Sequence, residues 1–159
     1  MARIPDTHSA HLGRRDALVS VPLVRSEWLV VTHSDLIAVA EDGIRVEIPW
    51  IAVESARWDG DRRTYIVNLI DGQTAEFTAD TDDVWLLVTA IREQVNSSIV
   101  HVEYLATNAG GEVRALVRKD SRGELSSQII ARGPVSAAEE AAVDELERRA
   151  RAAVGLTTP

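Results

Sequence analysis

The sequence predicts an α+β fold built from antiparallel hairpins and two single amphipathic helices. Short alternating apolar runs are separated by turn residues, and in two later stretches the apolar period lengthens to that of a helix. Because hairpins followed by single helices do not build βαβ crossovers, a doubly wound parallel sheet is excluded. With 159 residues, of which 45% are hydrophobic, the chain can bury one good core and a small second layer.

The composition narrows the classes of function. Cysteine is absent, so disulfides, thiolate catalysis and cysteine-ligated zinc or iron–sulfur centres are excluded. The net charge of −8 disfavours non-specific binding to nucleic acid or anionic lipid, since both need clustered positive charge. No apolar run is long enough to span a membrane, and residues 1–15 lack a secretory apolar region. We therefore expect a cytoplasmic protein.

Proline and the pattern of apolar and polar residues predict the structure of the first 40 residues. Residues 1–15 show no apolar periodicity, which predicts a mobile tail. The apolar run at residues 17–25 contains Pro22, whose missing N–H indicates an edge strand or a bulge. Residues 28–32 and 36–40 then form a hairpin about a polar Thr-His-Ser-Asp turn.

Four further strands precede the first helix. They are predicted at residues 44–48, 51–58, 64–70 and 73–79. The last two flank Asp71 and Gly72. An Asp-Gly pair between two alternating apolar runs is the strongest short-range hairpin signal, because both residues tolerate the positive φ of a tight turn.

The apolar period changes to that of a helix after Asp80. Asp80 or Thr81 can cap the helix, and apolar residues then recur at helical spacing as far as Val95. The pattern predicts an amphipathic helix that ends near Asn96. Trp85 widens its apolar face, so we expect Trp85 to be buried in the core.

The last third of the chain predicts three antiparallel strands and a second helix. The strands lie at residues 100–104, 112–118 and 125–131. Ser136 and Glu139 have the spacing of a capping box, and Gly155 suits the position after the helix end. We expect a domain of residues 16–98 and an extension of residues 99–159, either separate or packed into one domain with the first.

The order of motifs in residues 28–95 resembles that of bacterial pleckstrin-homology-like (PH-like) and GRAM-like domains. In order, the matching features are Thr32 at a strand end, the strand at residues 36–39, Ile48 and Pro49, residues 53–55, residues 69–72 and the helix from Asp80. The resemblance implies a partly open antiparallel β-barrel closed by a helix, without a catalytic residue or cofactor. Such domains bind peptides, proteins or sometimes lipid headgroups. The whole chain is also similar to small actinobacterial proteins.

Residues that could serve catalysis or metal binding have simpler explanations. His8 and His11 have an H-x-x-H spacing, but two ligands are too few for a stable metal site. His33 and Asp35 fit the chemistry of a turn. The carboxylates at residues 80–83 lack the glycine and distal glutamate of a calcium loop and suit a helix start. We therefore predict no catalytic residue, cofactor or metal site.

Tryptophan and arginine supply the remaining candidates. Trp50 and Trp58 lie near strand turns, and indole is favoured both in cores and at binding hot spots. We name these two as interface candidates, with core burial as the alternative. The expected function is a non-enzymatic module for protein–protein contact, including self-association. One alternative is an enzyme without a recognisable motif. Another is a sensor of membrane surfaces or small anions that uses Arg14, Arg15, Arg25, Arg62 and Arg63.

Overall fold

The computed structural model describes residues 3–156, and the chain divides into two compact units after Asn96. The first contains α1 (Asp6–Ser9), β1 (Val19–Pro22), β2 (Trp28–Val31), β3 (Asp35–Ala40), β4 (Gly43–Pro49), β5 (Val53–Asp59), β6 (Thr64–Leu69), β7 (Thr74–Thr78) and most of α2 (Trp85–Ser98). The second contains β8 (Ile99–Ala106), β9 (Glu112–Lys119), β10 (Leu125–Arg132) and α3 (Glu140–Ala153). None of the helices within residues 3–156 is both long and apolar enough to cross a membrane.

The strands of the first unit form two antiparallel sheets. Their orders are β1-β2-β3-β4 and β5-β6-β7, and an isolated bridge between Leu23 and Ala79 joins them at one corner. The α+β class is thus confirmed. In the described chain the seven strands do not close into a barrel, because the two sheets remain separate along the rest of their edges.

The main core of the first unit lies between its two sheets and α2. Leu87 and Ile91 of α2 are each 1% exposed and pack with the inner faces of both sheets. Val84 extends this helix face, which gives the spacing of three and four residues expected of an amphipathic helix. The helix therefore covers the space between the sheets, as its apolar pattern predicts.

Strand β3 is buried on both faces, and the N-terminal segment explains how. Val30, Ile37 and Val39 face away from the main core and pack against Leu12 and Ile4. Residues Asp6–Leu12, which we expected to belong to a mobile tail, are helical and cover this outer face. The apolar sequence of β3, which hardly alternates, is typical of a strand covered on both sides.

Helix α2 begins at Trp85, later than the cap expected at Asp80 or Thr81. The amide of Asp80 donates to the carbonyl of Pro22 at 2.9 Å, next to the bridge that joins the sheets. This pairing holds the chain extended at Asp80, so a helix cannot begin there. Thr81 instead accepts a hydrogen bond from the amide of Asp83 at 3.1 Å, which makes a local turn before the helix.

Two local predictions in the first unit are confirmed. Pro22 lies in β1, at the edge of its sheet, where its missing N–H breaks no ladder. The Asp71-Gly72 hairpin joins β6 to β7: Gly72 has φ +88°, and Asp71 Oδ1 accepts the amide of Gln73 at 2.9 Å.

In the second unit α3 covers one face of an antiparallel sheet of order β10-β9-β8. Leu146 and Ala150 are fully buried against β9. The predicted capping box is present, because Glu139 Oε1 accepts the amide of Ser136 at 3.3 Å. Hydrogen bonds from the amide of Asn108 and from Ser136 hold the pKa of Glu139 below its usual value.

Replacing Leu146 by alanine should destabilise the second unit by about 2–5 kcal/mol, because it leaves a cavity under α3. Hydrogen exchange of the β9 amides measures this, because β9 belongs to the second unit whereas all four tryptophans lie in the first. Val100→Ala is the control within the same unit: Val100 of β8 is 44% exposed, and we expect a much smaller effect. Equal effects of the two substitutions would show that Leu146 does not anchor this core.

Candidate functional site

Both tryptophans named as interface candidates are part of the first unit's packing. Trp50 is 4% exposed, and its indole N–H donates to the carbonyl of Thr32 at 3.0 Å. Trp58 is half-buried, with its ring centroid 6.5 Å from that of Tyr65. Burial raises the pKa of Tyr65 to about 12. Trp50 belongs to the core, which was the alternative to an interface role, and Trp58 lies at the core's edge.

A buried carboxylate stands beside Trp50, at the start of β3. Asp35 is 7% exposed, and its Oδ1 accepts hydrogen bonds from the hydroxyls of Thr32 at 2.6 Å and Ser34 at 2.9 Å. Its Oδ2 accepts a third from Arg15 at 3.0 Å, and Arg15 also pairs with Glu47. The polar turn predicted from sequence therefore contains a hydrogen-bonded network that depends on the distant Arg15.

The network decides the protonation of Asp35. Burial by itself would raise the pKa of this carboxyl, because it disfavours the charged form. Hydrogen bonds from Thr32 and Ser34, together with the charge of Arg15, outweigh burial and hold the pKa of Asp35 below its usual value. Asp35 is thus an ionised structural carboxylate at neutral pH, with its lone pairs occupied by neighbouring donors.

Carboxylates engage three of the five arginines proposed for anion binding. The pairs are Arg15 with Asp35 and Glu47, Arg62 with Glu76 at 3.1 Å, and Arg63 with Asp82 at 3.9 Å. Arg14 and Arg25 are exposed, and within the described part of the chain neither forms an ion pair. Most of the positive charge in this set is therefore balanced locally.

The histidines serve structural contacts where the structure gives them partners. His8 hydrogen-bonds the carbonyl of Ser26 at 2.8 Å, and His11 hydrogen-bonds that of Glu41 at 2.8 Å, which ties the N-terminal segment to the first sheet. His33 is exposed in its turn. Among residues 3–156 no three side chains of histidine, aspartate or glutamate are grouped closely enough to hold a metal ion.

In the second unit, the most buried charged side chain is Arg118, which is 1% exposed. Its Nε and Nη2 donate to Ser98 Oγ at 3.1 and 2.6 Å. Burial lowers the pKa of Arg118 to about 10, so the guanidinium remains protonated at neutral pH. The sequence alone does not reveal this burial.

The largest departure from the sequence analysis is Trp85, which is 71% exposed and not buried. Leu86 beside it is 45% exposed. Each residue of a helix turns by about 100°, so Trp85 and Leu86 each lie about 120–140° from the centre of the face set by Leu87 and Ile91, on the side away from the core. The position of Trp85 around the helix axis therefore indicated its exposure, whereas its hydrophobicity suggested burial. We call Trp85 and Leu86 the α2 patch.

The α2 patch is the candidate functional site of the first unit. An exposed indole next to an exposed leucine can bind apolar side chains of another molecule. Asp82 and Asp83 lie three and two residues before Trp85 and are both exposed, so cations of a partner can pair beside the patch. Comparison with known proteins found no matching family model, no matching curated protein and no matching solved structure.

Replacing Asp35 by alanine should lower the free energy of unfolding by about 1–3 kcal/mol, because buried donors lose their acceptor. Urea unfolding followed by tryptophan fluorescence reports this, since all four tryptophans lie in the first unit. Glu93→Ala removes an exposed carboxylate from α2 and should change stability by less than about 0.5 kcal/mol. Similar effects of the two substitutions would contradict a structural role for Asp35.

The lowered pKa of Asp35 also predicts how this stabilisation depends on pH. A carboxyl with a lower pKa in the folded than in the unfolded chain stabilises the fold above the unfolded value, about 3.9. That contribution is lost as the pH falls through the folded pKa. The stability difference between the wild type and Asp35→Asn should therefore shrink between about pH 5 and pH 2 in urea titrations. A difference that stays constant or grows would contradict the assignment.

Proposed function

We propose that this chain is a non-enzymatic binding module, with a first unit of PH-like architecture that contacts another protein through the α2 patch. Two antiparallel sheets of four and three strands followed by one helix agree with the order of elements in PH-like domains. The observation that carries the proposal is the 71% exposure of Trp85 in a chain with only seven aromatic residues.

The energetics favour an occupant for this patch. A tryptophan side chain buries about 150–250 Å² when fully covered. At about 25 cal/mol per Å² of apolar surface, covering the exposed part of Trp85 gives a gross gain of about 3–4 kcal/mol, against which the entropy cost of association is set. Leu86 adds to the same surface, since it is adjacent and nearly half exposed. An indole of this kind is typical of a binding hot spot.

The surrounding charge favours a protein partner with a basic surface. Asp82 and Asp83 stand beside the patch, and the side chain of Asp82 is 88% exposed although it lies 3.9 Å from Arg63. These carboxylates would repel an anionic membrane and attract lysine or arginine. A second copy of the chain is a weaker candidate, because each copy carries a net charge of −8.

The arginine alternative has less support. Three of its five side chains pair with carboxylates, which leaves Arg14 and Arg25 as the residues to test. Titration with vesicles of anionic lipid at low salt is the direct measurement, since electrostatic attraction is then least screened. If the wild type binds these vesicles and the double variant Arg14→Gln, Arg25→Gln does not, anion sensing through these arginines would replace protein binding through the α2 patch as the proposed function.

Replacing Trp85 by alanine should abolish partner capture without loss of fold. The wild-type chain is immobilised and exposed to a lysate of the source cell, and the retained proteins are identified by mass spectrometry. The retained amount of at least one protein should fall about tenfold or more when the chain carries Trp85→Ala. Leu18→Ala removes a different exposed apolar side chain and should leave capture unchanged. Identical sets retained by all three proteins would overturn the proposal.

Stability supplies the companion measurement. Trp85→Ala should change the free energy of unfolding by less than about 0.5 kcal/mol, while Trp50→Ala should cost about 3–5 kcal/mol, because only Trp50 is in the core. A large loss with Trp85→Ala would show that its indole is a packing residue. Light scattering on the same samples identifies self-association, and a dimer that Trp85→Ala dissociates would make a second copy the partner.

A further inference from the structure

The second unit has a groove of its own between β10 and the first turns of α3. Its volume is about 310 Å³, and five of its seven lining side chains are apolar. The lining residues are Val113, Ile129, Ala131, Val135, Glu140, Val143 and Asp144. We call this surface the acidic groove, because its two charged members are both carboxylates.

The groove exists because α3 covers its sheet unevenly. Leu146 and Ala150, in the middle and last part of the helix, are fully buried against β9. Nearer the start of the helix, Val143 is half-buried, and Ile129 of β10 is 37% exposed. Apolar side chains at this end of the sheet therefore remain partly uncovered, and covering them would be favourable.

The two carboxylates of the groove are not engaged by basic side chains of the described residues. Glu140 and Asp144 are four residues apart on one face of α3, where like charges are mildly destabilising. Both are exposed, and neither forms an ion pair in residues 3–156. By contrast Glu145, on the same helix, pairs with Arg148 at 2.7 Å. The macrodipole explains Glu140 in the first turn, but its effect fades before Asp144.

The groove is continuous with an open sheet edge. In the order β10-β9-β8, strand β10 pairs only with β9 among the strands of residues 3–156, which leaves backbone donors and acceptors along its outer edge. Ile129 and Ala131 line the groove from β10. An extended segment that pairs with this edge would place alternate side chains on the α3 side, beside both apolar residues and both carboxylates.

We propose that the acidic groove binds an extended basic segment of a partner protein, which adds a strand to β10. Alternate apolar side chains fill the groove, and lysine or arginine pairs with Glu140 and Asp144. Charge complementarity selects this occupant, because a second copy of the chain brings a net charge of −8 to a rim that is already negative. The site lies in the second unit and does not depend on the α2 patch.

The test uses the full chain and an acetylated, amidated heptapeptide in which lysine and valine alternate, with affinity measured by fluorescence anisotropy of the labelled peptide at low salt. The double variant Glu140→Gln, Asp144→Asn should weaken binding about tenfold or more, since both counter-charges are lost. Glu124→Gln is the matched control: it removes one exposed carboxylate at the other end of β10, and affinity should be unchanged.

Two further peptides separate groove binding from general attraction. Replacing every lysine by glutamate, or every valine by serine, should each reduce affinity about tenfold or more, because the site needs both charge and apolar side chains. Ile129→Lys should have the same effect.

Circular dichroism checks that every variant folds. Trp85→Ala should bind the lysine–valine peptide normally, so failure of this site is distinguishable from failure of the α2 patch.

Hydrogen exchange locates the bound peptide. Amides of β10 should exchange about tenfold more slowly in the complex, because an added strand protects them. Peptide binding without protection of β10, or with equal affinity for the acidic or serine-containing peptide, would overturn the proposal. Protection of β10 that rises with protein concentration in the absence of peptide would show that a second copy occupies the edge, which also overturns it.

Discussion

The burial of β3 on both faces is the constraint on which the first unit depends. A strand with almost no polar side chains needs apolar cover on each side, since its hydrophobic surface cannot face water at low cost. The space between the sheets supplies one cover. Leu12 and its neighbours in the N-terminal segment supply the other, and contacts from His8 and His11 to backbone carbonyls fix that segment in place. The N-terminal residues, which show no apolar periodicity in the sequence, therefore cover the outer face of this sheet.

The same constraint governs the polar groups around β3. Asp35 begins the strand, so its carboxylate is carried into the interior, where it needs donors. Two nearby hydroxyls and Arg15 provide them, which removes Arg15 from the charge available to a ligand. Apolar surface remains available on elements that are covered on one side only. The α2 patch and the acidic groove are both of this kind, and both stand beside carboxylates.

Local chemistry was predictable from the sequence and distant contacts were not. The Asp71-Gly72 hairpin and the box of Ser136 and Glu139 depend on residues within three positions of each other, so the chain alone reveals them. The start of α2 was predicted wrongly because Asp80 pairs with a strand far away in the sequence. The sequence favoured Trp50 over Trp85 as an interface residue. Hydrophobicity can be read from the sequence, but which of two hydrophobic residues is buried cannot.

The sequence by itself determined the α+β class, the order of the strands and of the two long helices, the main turns and the acidic balance, because these follow from periodicity, backbone preferences and charge. Only the tertiary structure decided which tryptophan is buried, which arginines are neutralised and where the helices leave apolar surface uncovered. Those outcomes depend on how the elements pack: Trp50 and Leu146 lie inside the two cores, whereas Trp85 lies on the side of α2 away from its core and Ile129 lies where α3 leaves the sheet uncovered. The candidate binding surfaces are the apolar side chains that this packing leaves exposed.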